Sequence, residues 1–185
     1  MSDDGPAASS SDGSTTPPTR WGLWVRGRIR TSVVLGDGSG EHVADLSLHG
    51  WPRRRRRLRA ATDEDEWTVT VEPGRLSVDC EGDRRMSVWG DEAHLDGRRF
   101  TWEVYDGGLH RGTFRDPDDG PVVMDVAPAG GGEDEPVAVI AVAGDLPDPL
   151  PVVLAACAVQ LVTRPRGSMS DGMDPGAGVD IVSPF

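Results

Sequence analysis

Arginine is concentrated at one place in the sequence, where six residues within a seven-residue window carry a guanidinium group. The six are Arg53, Arg54, Arg55, Arg56, Arg57 and Arg59. Guanidinium groups clustered in this way attract the phosphates of anionic lipid headgroups, by about 1 kcal/mol for each charge close to a membrane surface. The cluster is therefore the candidate site for an anionic ligand.

The same arginines have a second role open to them, in ion pairs with the acidic run Asp63, Glu64, Asp65 and Glu66. Exposed pairs of this kind stabilise a protein by only about 0 to 1 kcal/mol each. The sequence favours this ion-paired arrangement, with headgroup binding as the functional alternative. If the run forms a strand, alternate arginines point to opposite faces, and some are directed towards the core unless the strand lies at an edge or beyond the rim of the sheet.

Residue types that support metal binding or catalysis are scattered through the chain. His42, His49, His94 and His110 include no pair at the spacing of a zinc motif. The aspartates before Gly120 lack the spacing and the distal glutamate of a calcium loop, so a turn is expected there. No nucleophile elbow, phosphate-binding loop or dinucleotide fingerprint occurs. We therefore expect no metal, no cofactor and no catalysis, unless two of the histidines and aspartates converge in one cleft as in a hydrolase.

Charge and cysteine content narrow the class of protein. The 185 residues carry a formal net charge of -12, and this acidity argues against nucleic-acid binding. Cys80 and Cys157 are far apart and lie in apolar surroundings, so we expect reduced core thiols rather than a disulfide or a zinc ligand set. The first residues lack the basic and apolar regions of a secretion signal, which predicts a cytoplasmic protein.

The pattern of apolar residues between about 20 and 143 has a period of two, as in Phe100-Trp102-Val104, with turn-forming clusters such as Asp96-Gly97 between the alternating runs. This pattern is typical of half-buried antiparallel strands joined by hairpins. The predicted strands are 22–30, 31–35, 41–48, 53–59, 66–72, 75–80, 84–89, 92–95, 98–105, 109–115, 121–127 and 136–143. The six tryptophans are expected mainly in the core of this sheet, although an aromatic platform for sugars or lipid tails is the alternative.

One segment near the C-terminus has a different pattern. Asp148 is a suitable helix N-cap, Pro149 suits the first helical position, and the residues to Thr163 are apolar on nearly every side. A helix over about 149–163 would span about 21 Å, less than the roughly 30 Å of a bilayer core. Because it is too short for a membrane span, we expect the strands to close around it as a barrel with a helix at its centre.

The two ends of the chain differ from this body in composition. Residues 1–19 are an acidic Ser/Thr/Pro tract, and residues 167–185 are rich in Gly, Ser and Asp. Neither can bury enough apolar surface to offset the entropy of ordering, so both are predicted to be disordered tails. The folded domain is expected over 20–166.

This arrangement resembles the tubby C-terminal-like superfamily, which includes the tubby proteins, the phospholipid scramblases and the LURP-one-related proteins. The likeness is carried by the segment from Asp145 to Cys157, by the aromatic strand from Asp96 to Trp102, and by the strand-turn-strand from Thr113 to Val123. It implies an antiparallel barrel of about twelve strands around one hydrophobic C-terminal helix, and a basic surface that binds phosphoinositide headgroups. The cysteine-rich segment of the scramblases is missing, and no membrane-spanning tail follows the helix, so lipid scrambling is not implied.

The sequence therefore predicts a non-catalytic tubby-like or LURP-one-like β-barrel. Its expected partner is an anionic phospholipid surface or another anionic or apolar ligand, bound by the arginine cluster. The alternative is a protein-interaction or scaffold module that recruits a protein partner through its acidic tails.

Overall fold

A computed structural model describes residues 17–26, 32–51, 55–105, 111–115, 122–130 and 135–163 of the chain. These residues form twelve strands and one helix. The strands are β1 (Thr19–Arg26), β2 (Ser32–Asp37), β3 (His42–Trp51), β4 (Arg55–Ala61), β5 (Glu66–Glu72), β6 (Arg75–Cys80), β7 (Asp83–Trp89), β8 (Glu92–Leu95), β9 (Arg98–Tyr105), β10 (Arg111–Arg115), β11 (Val122–Pro128) and β12 (Ala138–Val142), and the helix is α1 (Leu150–Thr163). The prediction of a mainly β, antiparallel fold with one C-terminal helix is confirmed.

The strands follow one another in a simple meander. Each pairs antiparallel with its neighbours in sequence, and the order also joins β1 to β12, through registers such as Trp21 with Ile140. β5, β6, β8 and β9 begin and end where the sequence predicts, whereas β1 begins at Thr19 rather than at residue 22. The predicted tails fall almost entirely outside the described residues, since 1–16 and 164–185 are not described.

The hairpin turns between β6 and β7 and between β8 and β9 contain residues with positive φ. Glu81 and Gly82 have φ of 50° and 97°, and Asp96 and Gly97 have φ of 46° and 81°. Positive φ at both central residues is required by a type I′ turn, whose twist matches that of the flanking strands. Aspartate and glycine adopt this backbone at low cost, so the sequence predicts the β8–β9 turn well.

The core lies between the sheet and α1. Alternate residues of the strands are buried on the helix-facing side, as Leu58, Val69, Val78 and Met86 show with exposures of 1% or less. The helix is buried over its whole circumference, because every side chain from Val152 to Val159 is at most 3% exposed. Its closest neighbours are β4, β5, β6, β7 and β12. None of the described helices has the length and apolar character needed to cross a membrane.

The N-terminus of α1 is held by two polar side chains. Asp148 accepts a hydrogen bond from the backbone N–H of Leu150 at 3.2 Å, as expected for an N-cap. Arg85 donates to Asp148 at 3.0 Å and also to Asp96 at 3.0 Å. Arg85 is directed to this place by a bulge, since its neighbours Arg84 and Met86 occupy successive pairing positions with β6. Desolvation opposes the charge of Arg85, but the hydrogen bond to Asp96 is the larger effect and raises its pKa.

An aromatic ring covers a glycine pair on the outer face of the sheet, which is the face turned away from α1. Gly22 and Gly36 pair across β1 and β2, and Trp24 follows Gly22 on the same face. A Cβ built on Gly36 would lie 2.7 Å from Cζ3 of Trp24, and a Cβ on Gly22 would clash with the same ring. The absence of side chains at both positions therefore lets the indole lie flat on the backbone.

Candidate functional site

The register of β4 divides the arginine cluster between two faces of the sheet. Leu58 and Ala60 are 1% and 2% exposed and face α1, so Arg56 lies on the helix-facing side and Arg57 and Arg59 on the outer face. Arg53 and Arg54 lie outside the described residues, and for Arg55 only its position as the first residue of β4 is described. The structure therefore brings two of the six predicted residues to one exposed surface.

Arg56 has a structural partner. Its Nη1 donates a hydrogen bond of 2.8 Å to the backbone carbonyl of Val162, in the last turn of α1. The final carbonyls of a helix have no partner within the helix, and their partial negative charge favours a nearby cation. Arg56, predicted as a headgroup ligand, is thus engaged at the helix end. Arg56 therefore lies on the helix-facing side of β4, half-buried, as strand alternation requires of part of the run.

Arg57 and Arg59 are exposed, and neither makes an ion pair or hydrogen bond within the described part of the chain. The predicted pairing with Asp63 to Glu66 does not occur for these two guanidinium groups. That acidic run forms the β4–β5 turn instead, where the hydroxyl of Thr62 accepts from the N–H of Asp65 at 2.9 Å. These turn contacts engage backbone groups of Glu64 and Asp65, and neither arginine is ion-paired with the acidic run in the described part of the chain.

The residues directly opposite these arginines on the outer face are polar. Arg57 pairs with His49 on β3 and with Thr70 on β5, and Arg59 pairs with Thr68. His49 Nε2 lies 3.1 Å from the hydroxyl of Ser47. Hydroxyl and imidazole groups next to two guanidinium groups offer hydrogen bonds to a phosphate in addition to charge.

A row of hydroxyl side chains continues from Arg57 across the outer face. Thr70 pairs with Ser77 on β6, which pairs with Ser87 on β7. Thr70 and Ser77 are only 7% and 8% exposed although they point away from the core. These side chains are shorter than those around them, so the longer neighbours shield them from solvent and extend further from the sheet.

Trp89 stands at the far side of this row and was missed by the sequence analysis, which assigned the tryptophans mainly to the core. Trp67 and Trp102 are indeed buried, at 4% and 2% exposure, but Trp89 is 72% exposed. The guanidinium carbon of Arg75 lies 5.3 Å from the centre of the Trp89 ring, within cation–π range. The signal was present in the sequence, since Trp89 is one position out of phase with the apolar Met86 and Val88 of its strand.

The groups that a hydrolase would need are spread over the sheet. On β3, His42 Nε2 lies 3.3 Å from Asp45 Oδ1. On β8, His94 Nε2 lies 2.6 Å from Glu92 Oε1. His110 lies outside the described residues. Among the residues that are described, no three histidine, cysteine or acidic side chains are grouped so as to hold a metal ion. Of the described histidines, His42 and His49 lie on β3 and His94 lies on β8.

Both cysteines are free thiols, as predicted. Cys157 is fully buried on α1, and this burial raises the pKa of its thiol to about 12. Cys80 is half-buried, and desolvation followed by the charge of Asp65 raises its pKa as well. A thiol whose pKa is raised is a weak nucleophile at neutral pH, so neither cysteine is suited to covalent catalysis.

Comparison with known proteins gives few matches. No family model matches the chain, and no curated protein matches it. The fold is similar to the X-ray structure of a protein from Arabidopsis thaliana, with 15% sequence identity and a TM-score of 0.47, over 80% of this chain and 91% of that chain.

Proposed function

We propose that the chain is a non-catalytic domain of tubby-like barrel architecture, and that it binds an anionic phospholipid surface through the outer face of β4. The observation that carries the proposal is the exposure of Arg57 and Arg59 on one face, two residues apart, without a carboxylate partner among the described residues. A guanidinium that no carboxylate neutralises keeps its attraction for a phosphate. The setting we propose is the cytoplasmic face of a membrane, where anionic lipids are enriched.

The strength of this interaction follows from the number of charges. An arginine near an anionic membrane surface contributes about 1 kcal/mol, so the pair contributes about 2 kcal/mol, or roughly 30-fold in partitioning. The attraction acts over a Debye length of about 8 Å at physiological ionic strength. Binding by this surface is therefore expected to weaken as salt is added, whereas binding by apolar burial alone is not.

Vesicle sedimentation tests the proposal directly. The full chain is mixed with vesicles of phosphatidylcholine alone and with vesicles that also contain phosphatidylserine. The double variant Arg57→Ser/Arg59→Ser is compared with Arg20→Ser/Arg98→Ser, which removes the same charge from exposed positions on β1 and β9. We expect salt-sensitive binding to the anionic vesicles, weakened roughly 30-fold in the first variant and little changed in the second. Equal binding by the two variants, or binding that salt does not affect, contradicts the role of these arginines.

A further inference from the structure

We infer that Trp89 is the interfacial anchor of this membrane-binding surface, so that the outer face of β4 to β7 lies against the lipid headgroups. The inference rests on the proposed function and specifies the orientation of the domain. An indole ring has a large apolar area and one N–H donor, and it accordingly concentrates at the boundary between headgroups and acyl chains. At 72% exposure, Trp89 is the most exposed large apolar side chain among the described residues.

The geometry places Trp89 and Arg57 on one approach surface. The outer-face row runs from Arg57 through Thr70 and Ser77 to Ser87, one residue on each strand, and Trp89 follows Ser87 by two positions on the same face. With about 4.8 Å between strands and about 7 Å for two residues along a strand, the Cα atoms of Arg57 and Trp89 are about 16 Å apart. The hydroxyl side chains between them are shorter than both, so Arg57 and Trp89 extend further from the sheet than the residues that separate them.

Charge around Trp89 also suits an anionic membrane. Arg75 lies over the ring at 5.3 Å and adds a cation beside the apolar group. Glu92 is opposite Trp89 on β8, but its carboxylate is paired with Arg99 at 2.9 Å. Glu72 lies across from Arg75 on β5. Glu92 is thus neutralised by an ion pair, whereas Asp91, in the turn after Trp89, is exposed and adds a negative charge near the ring.

Depth of insertion is measured by fluorescence quenching. The full chain is bound to phosphatidylcholine–phosphatidylserine vesicles whose acyl chains carry bromine near the headgroup, and the emission of wild type is compared with that of Trp89→Phe. We expect the bromines to quench a part of the wild-type emission that is missing in the variant, because the five other tryptophans are retained in both. Quenching that persists in bound Trp89→Phe, or bound wild type that is not quenched, overturns the inference while leaving the arginine surface intact.

Affinity gives an independent measurement. Trp89→Ser is expected to weaken sedimentation with anionic vesicles about fivefold to tenfold, as partial burial of a large aromatic group implies. Val122→Ser, which removes a 44% exposed apolar side chain from β11, is the matched control and should change binding less than twofold. Equal effects of the two substitutions refute an anchoring role for Trp89. If the wild-type protein does not sediment with any vesicle, the proposed function is refuted, and the anchoring role of Trp89 is refuted with it.

Discussion

Replacing Arg56 by methionine tests whether this arginine belongs to the helix rather than to a ligand site. The substitution keeps most of the aliphatic length of the side chain and removes the donor that bonds to Val162 O at 2.8 Å. A hydrogen bond that involves a charged group contributes about 1.5–3 kcal/mol, and favourable charge at a helix terminus adds about 0.3–1 kcal/mol. Because Arg56 and Val162 are only half-buried, water replaces part of the bond, and we expect a loss of about 1.5 kcal/mol.

Thermal unfolding followed by circular dichroism measures this loss. At about 2–4 °C per kcal/mol for a chain of this size, Arg56→Met should lower Tm by about 3–6 °C. Arg57→Met is the matched control, since the neighbouring residue is exposed and has no partner in the described residues; it should stay within about 0.5 kcal/mol of wild type. In vesicle sedimentation the order should reverse, with Arg57→Met the weaker binder. The assignment of Arg56 to the helix end is refuted if the two variants unfold at the same temperature.

Two further predictions concern packing and thiol chemistry. Gly36→Ala should destabilise the protein by about 1–3 kcal/mol in urea unfolding. The new methyl group displaces the Trp24 ring and also meets the carbonyl of Glu41 at 2.9 Å. Unchanged stability with unchanged indole fluorescence would show that the ring does not lie over Gly36. At pH 8 a maleimide should modify Cys80 slowly and Cys157 only after unfolding. Burial raises the pKa of the Cys157 thiol to about 12 and excludes the reagent. Mass spectrometry of the native protein that finds both thiols labelled at the same rate would contradict this prediction.

The strands were predictable because their pattern is local. On β6 and β7 the core positions alternate with polar ones, and turns such as Asp96-Gly97 carry residues that tolerate positive φ. The helix was predictable for the same reason, since Asp148 and Pro149 mark its start and its apolar circumference requires burial on every side.

The partition of the arginine cluster follows from a local pattern, but the partner of Arg56 does not. Alternation along β4 separates Arg56 from Arg57, and the apolar Leu58 and Ala60, which share the phase of Arg56, indicate which of the two faces α1. The bond from Arg56 to Val162 joins residues 106 positions apart, and no sequence pattern indicates it. Residue type alone predicts tryptophan mainly in the core, whereas the phase of Trp89 relative to Met86 and Val88 indicates the outer face, where it is 72% exposed.

The position of α1 after all the described strands affects how the protein is made. All twelve described strands are synthesised before the helix against which their apolar faces pack, and β1 pairs with β12 only after β12 has been synthesised. Until translation has passed Thr163, α1 cannot pack against the apolar faces of the nascent strands. These faces can then contact chaperones or one another. Ribosome stalling or premature termination before Leu150 should therefore yield an aggregating product rather than a smaller folded one.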